Sequence, residues 1–287
     1  MNLYALAGAR AESAGPIGIG LIGAGKFAAM FLAQVPTMPG IRIAAIADLK
    51  PDAARDRLKQ IGWSAERIAA VAIGEDAGDV IGRDDVDVVI EATGDPLAGL
   101  AHGAACIAAG KHLVMVNVEA DVLAGPALAA KARRAGLVYA LAYGDQPALI
   151  AEQVDWARAA GFEVAAAGKG TKYLPAYHAS TPDSVWQHYG LSAEQARAAG
   201  MNSQMFNSFL DGTKSAIEMA AVANACGLGV PAEGLLFPPV GTGELADILR
   251  PKTVGGVLER EAWWRWCPRS IATAAKSTAT CAGAFMW

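Results

Sequence analysis

Ile17-Gly18-Ile19-Gly20-Leu21-Ile22-Gly23-Ala24-Gly25-Lys26-Phe27-Ala28 decides the fold. The first six residues form a short apolar run with glycine spacers, which reads as a buried strand. Gly23 to Ala28 matches G-x-G-x-x-G/A. The pattern is weak alone, but here it leaves a predicted strand and opens a predicted helix over Lys26–Val35. Gly23 permits the tight turn, and Gly25 lets the backbone approach a pyrophosphate. Ala28 keeps helix and strand close, and the helix N-terminus offers free N–H groups to phosphates.

Working outward, Ile41 to Ala47 is a second apolar run ending in Asp48, twenty residues beyond Ala28. An acid there accepts from the adenosine ribose hydroxyls and repels a 2′-phosphate, which favours NAD. Lys50 offers a phosphate partner and leaves NADP open. The rhythm continues with a helix over 51–61, a strand over 86–91, a helix over 96–109, a strand over 112–117, a helix over 126–135 and a strand over 137–142. Alternating apolar strands and helices predict a parallel sheet covered on both faces, the α/β class of Rossmann type. Thr93-Gly94 and Asn117 fall at the carboxyl edge of that sheet, where open α/β folds bind ligands. The expected cofactor-binding positions are therefore Gly23, Gly25, Lys26, Phe27, Asp48, Thr93, Gly94 and Asn117.

After Gly144 the rhythm loosens. Helices are expected over 147–160 and 212–226, the latter stopped by Gly227, and a strand over 162–167. Thr181-Pro182 reads as a helix start, Ser192 and Gln195 as a capping box, and 241–258 as loop. The domains expected are 1–145 for the dinucleotide, 146–260 as a smaller α/β substrate domain, and 261–287 as an atypical tail.

Hydride transfer needs a positioned carbonyl and a proton donor or acceptor. Lys169 is flanked by glycines and followed by Lys172, so it suits an anionic substrate or acid catalysis. Asp211, Lys214 and Glu218 share one helix face. These five residues are the catalytic candidates, though a solvated lysine turn and a surface ion pair behind a helix cap explain the same spacing.

Other classes find little support. The four cysteines show no paired spacing, and the four histidines no ligand spacing, so no metal is expected. A net charge of -4 without a basic stripe argues against nucleic acid. No apolar stretch is long enough to span a bilayer, and Met1-Asn2-Leu3-Tyr4 carries no secretory pattern. A cytoplasmic homo-oligomer with a small-molecule substrate and no membrane partner is the expectation.

Several stretches together resemble the 1-deoxy-D-xylulose 5-phosphate reductoisomerase-like family, related to homoserine dehydrogenases. They are Gly20 to Gly25, Glu91-Ala92-Thr93-Gly94, Lys111 to Asp121, Ala167 to Gly170, and Asp211-Gly212-Thr213-Lys214-Ser215-Ala216-Ile217-Glu218-Met219-Ala220. The resemblance covers residues 1–260. It implies a two-domain, NADP-type reductase acting on a small polar or phosphorylated carbonyl compound, with the reductoisomerase step of isoprenoid biosynthesis as the family's best-known activity. Two positions depart from what the resemblance implies. Glu119 stands where homoserine dehydrogenases carry a lysine, and Asp48 stands where strict NADPH use implies an arginine.

Glu261 to Trp287 reads differently. It holds Trp263, Trp264, Trp266 and Trp287, four of the seven tryptophans, and no acid follows Glu261. A membrane-interface tail, a partner-binding tail and translation out of frame all fit that bias. Codon arithmetic favours the last. Reading each codon's third base with the next two turns Trp263-Trp264 and Met286-Trp287 into valine, and with AGG for Arg265 the stretch 262–267 can give a strand-like Gly-Val-Val-Glu-Val-Val. On that reading the chain is a frame-shifted, truncated product.

Overall fold

A computed structural model describes residues 2–171 and 173–259. Both Lys172 and the tail over 261–287 lie outside the described residues. The chain divides into two units, Met1–Tyr143 and Gly144–Trp287.

The first unit is a six-stranded parallel sheet: β1 (Ile17–Ile22), β2 (Ile41–Ala47), β3 (Ala72–Gly74), β4 (Val88–Glu91), β5 (His112–Met115) and β6 (Tyr139–Leu141). The spatial order is β3-β2-β1-β4-β5-β6, and every pairing is parallel. Chain order reverses between β1 and β4, so the switch-point crevice opens where both strands end. Helices α2 (Lys26–Gln34) and α3 (Pro51–Gln60) bury Ala28, Leu32, Ala54 and Leu58 on one face. The other face packs against α5 (Ala77–Ile81), α6 (Pro96–Ala108) and α7 (Val118–Arg134) through Val80, Ile81, Cys106, Ile107 and Leu128. The remaining helices of this unit are α1 (Leu3–Ala14) and α4 (Ala65–Ala69). Burial pushes the Cys106 thiol up to about 12, which makes it an inert core residue.

Caps set the boundaries. Asp95 accepts from the Ala98 amide at 2.7 Å, and Pro96 occupies the first helical position of α6. In α7 the helix begins at Val118, eight residues before the start expected at Pro126. Asn117 caps it by accepting from the Ala120 amide at 3.1 Å. Acids in its first turn and bases in its last complement the helix dipole, and these features offset the donor lost at Pro126.

The second unit is helical among its described residues: α8 (Gln146–Ala159), α9 (Val185–Tyr189), α10 (Ala193–Ala198), α11 (Ser203–Leu210), α12 (Thr213–Cys226) and α13 (Leu245–Ile248). The α/β character expected for this unit is not seen there, and the strand expected over 162–167 is absent. In that stretch Val164 is buried with Ile150, Val154 and Val222 of α8 and α12, so its burial comes from helix packing rather than sheet pairing. The Thr181-Pro182 helix start is also displaced. The Thr181 amide donates to Ser184 Oγ at 3.0 Å and the Ser184 amide to Thr181 Oγ1 at 3.3 Å, closing a turn before α9 begins. The Ser192–Gln195 capping box forms as expected. No helix among the described residues is long and apolar enough to cross a membrane.

Candidate functional site

The first unit presents the fingerprint at the switch point. Gly23 has φ +89°, and a Cβ there would stand 2.7 Å from the Ala92 carbonyl oxygen and 2.9 Å from the Thr93 nitrogen. Glycine is thus required twice, for the left-handed turn and for the approach of the loop after β4. Gly25 caps α2 without a side chain, and a Cβ built on it meets nothing within 4 Å. Open space over an uncapped helix N-terminus is what a pyrophosphate needs, so the residues fit a dinucleotide. Lys26 and Phe27 are exposed beside it, while Ala28 is fully buried.

Asp48, at the end of β2, reaches back into this turn. Its Oδ2 accepts from the Ala24 amide and its Oδ1 from the Lys50 amide, both at 2.8 Å. Thr93 and Asn117 meet behind the loop. Asn117 is 2% exposed, and its Nδ2 donates to the Asp95 carbonyl at 2.7 Å and to Thr93 Oγ1 at 3.5 Å. With its Oδ1 capping α7, the Asn117 amide is engaged at both ends, and the Thr93 hydroxyl points inward too. Gly94 is exposed, with φ +78°.

The second unit carries a cavity of about 550 Å³. Lys169, Lys214 and Glu218 converge in its wall. Glu218 on α12 is 3% exposed. Lys169 Nζ donates to Glu218 Oε2, and Lys214 Nζ lies 3.7 Å from Oε1. Helical spacing places Lys214 and Glu218 on one face, whereas Lys169 arrives from a loop 49 residues earlier. The surface ion pair that the spacing also allowed is not what forms.

Asp211 does not line the cavity. It closes the turn into α12, where Oδ1 accepts from the Thr213 amide at 2.8 Å and Oδ2 from Asn207 Nδ2 at 2.9 Å. Sequence reasoning missed Asp145, Gln146, Gln153, Thr171 and Ser215, which complete the polar lining. Nothing in their local pattern separates them from ordinary cap and helix residues. It also passed over Glu91, whose signal was available as a lone acid closing the apolar run Val88-Val89-Ile90.

Comparison with known proteins agrees with this division. Residues 18–141 match the NAD binding domain of homoserine dehydrogenase, and residues 144–272 match the catalytic domain of oxidoreductase DRL. Both halves therefore match oxidoreductase domains. No curated protein matches the chain. Among solved structures, an NAD binding oxidoreductase from Klebsiella pneumoniae is 22% identical, with 57% of this chain and 44% of that one covered at TM-score 0.41. A homoserine dehydrogenase from Thiobacillus denitrificans is 19% identical, covering 50% and 34% at TM-score 0.40. A myo-inositol dehydrogenase from Lactobacillus casei, in complex with NAD(H) and myo-inositol, is 15% identical, covering 58% and 49% at TM-score 0.42. The chain thus spans less than half the length of each of these three.

Proposed function

We propose that the chain is an NAD(H)-dependent oxidoreductase acting on a small polar carbonyl or hydroxyl compound. The observation that carries this reading is the convergence of Lys169 and Lys214 on buried Glu218 in the wall of the second unit's cavity. Gly23, Gly25 and the α2 N-terminus would hold the pyrophosphate, and Asp48 the adenosine ribose. A carboxylate has about four acceptor sites; the two used for the Ala24 and Lys50 amides leave others for ribose hydroxyls, and its charge disfavours a 2′-phosphate.

When bound, the nicotinamide supplies or accepts the hydride. The protein's part is the proton and the charge. Lys169 Nζ delivers a proton to a carbonyl oxygen as the carbon is reduced, and takes one from a hydroxyl in the reverse direction. Glu218 fixes that ammonium and offsets one of the two lysine charges, so the three side chains keep one net positive charge for an anionic substrate. Lys214 holds a second oxygen of the substrate. Two lysines with Thr171 and Ser215 suit a phosphorylated or carboxylate-bearing compound, and reductoisomerase-like and homoserine-like reactions both fall within that class.

The test is a fluorescence titration with NADH and NADPH, then turnover on a panel of phosphorylated and carboxylated carbonyl compounds. Tighter NADH binding together with Lys169-dependent turnover supports the reading. Binding of neither cofactor sinks it.

A further inference from the structure

Glu91 closes β4 fully buried, beside Val89 and Ile90. A buried carboxylate is costly unless its oxygens are satisfied, and here satisfaction is lopsided. Oε1 accepts from Thr93 Oγ1 at 2.5 Å and the Thr93 amide at 3.3 Å, and His102 Nδ1 lies 3.2 Å away. Oε2 has no hydrogen-bond partner among the described residues. The helix opposite is cut back to admit the group. A Cβ on Gly99 of α6 would stand 3.2 Å from Oε2, 2.8 Å from Asn117 Nδ2 and 2.7 Å from the Ala120 Cβ. A half-satisfied carboxylate is worse for stability than an apolar side chain, so core stability does not account for Glu91.

We infer that Glu91 is a positioning residue for cofactor binding, acting through Thr93. The residue it grips is the one whose nitrogen would lie 2.9 Å from a Gly23 Cβ. Glu91 thereby presses the loop after β4 onto the fingerprint turn, at the β1/β4 switch point. Thr93 Oγ1 also receives Asn117 Nδ2, and His102 steadies the carboxyl from α6. The inference rests on the proposed dinucleotide reading.

The experiment measures NADH affinity and Tm for wild type, Glu91→Leu and Glu91→Gln. Leucine fills the space without charge, so Tm is expected to hold or rise. The NADH Kd is expected to rise about tenfold, the size of one lost hydrogen bond to a charged group. Glutamine keeps an acceptor for Thr93 and is expected to bind within about threefold of wild type, since a neutral acceptor gives up only part of that bond. Glu91→Leu binding like wild type overturns the inference. So does loss of both stability and binding in Glu91→Leu without rescue in Glu91→Gln. If Glu91→Leu fails to fold, Thr93→Val takes its place and must weaken NADH binding; unchanged affinity overturns the inference. A wild type that binds neither NADH nor NADPH instead defeats the dinucleotide reading, and this inference with it.

Discussion

Asp48 Oδ2 accepts a 2.8 Å hydrogen bond from the Ala24 backbone amide, tying the end of β2 to the fingerprint turn. One carboxylate therefore braces the loop and, in the proposed reading, also takes the ribose hydroxyls. Asp48→Ala is expected to cost about 1–2 kcal/mol of stability from the lost loop bonds. It should also weaken NADH about tenfold while sparing NADPH, because the repulsion against a 2′-phosphate is gone. Thermal melts and paired titrations check both. Unchanged NADH affinity would separate Asp48 from the ribose.

Gly23 and Gly25 make opposite predictions. Gly23→Ala forces a Cβ to 2.7 Å from the Ala92 carbonyl at φ +89°, and is expected to cost about 2–4 kcal/mol through strain and clash. In Gly25→Ala the Cβ enters open space at φ -70°, so stability should hold while dinucleotide binding falls. Denaturant midpoints with NADH titrations separate the two, and a Gly25→Ala protein with full affinity would count against a pyrophosphate there.

Breaking the buried Lys169–Glu218 pair leaves an uncompensated charge. Glu218→Gln is expected to destabilise by about 3 kcal/mol. Lys169→Met should lower kcat by about a hundredfold or more, the scale of a lost general acid. Lys214→Met, farther from Glu218, should act mainly on KM. Equal effects of the two lysine variants on kcat and KM would argue against distinct roles.

At Asp85 the Arg83 hydrogen bond, helped by Arg42, lowers the pKa to about 2. A carboxyl depressed in the fold stabilises above its unfolded pKa and loses that contribution as pH falls through the folded value. The window therefore runs from about 4 down to about 2. Asp85→Asn should flatten the fall in Tm across that range. The side chain is 40% exposed, so solvent and salt screening keep the effect small. A wild-type slope surviving in Asp85→Asn would assign it to other carboxyls.

For residues 261–287 the codon reading makes a genetic prediction. Sequencing the gene across codons 255–265 should reveal one missing or extra base. The family match runs to residue 272, into that stretch, which counts against the idea, and an intact frame there removes it.

Much of the first unit was legible because its signals are local. Apolar runs of strand length, a glycine turn ahead of a helix and an acid at the next strand's end each express their physics within a few residues. The pairing of β1 with β4, which β2 and β3 separate in the chain, is decided only by the tertiary fold. Boundaries that depend on a cap were less legible: α7 starts at Val118 because the side chain of Asn117, nine positions before Pro126, accepts from the Ala120 amide.

The sequence by itself determined the parallel sheet, the fingerprint turn with its required Gly23, and the shared helix face of Lys214 and Glu218. Tertiary structure alone decided that Lys169 joins that face from 49 residues away, that Asp211 serves a turn instead, and that Glu91 is buried behind Thr93. The difference is physical. Periodicity and turn chemistry are written in neighbouring residues, whereas burial and the partner of a charge depend on segments that only folding brings together.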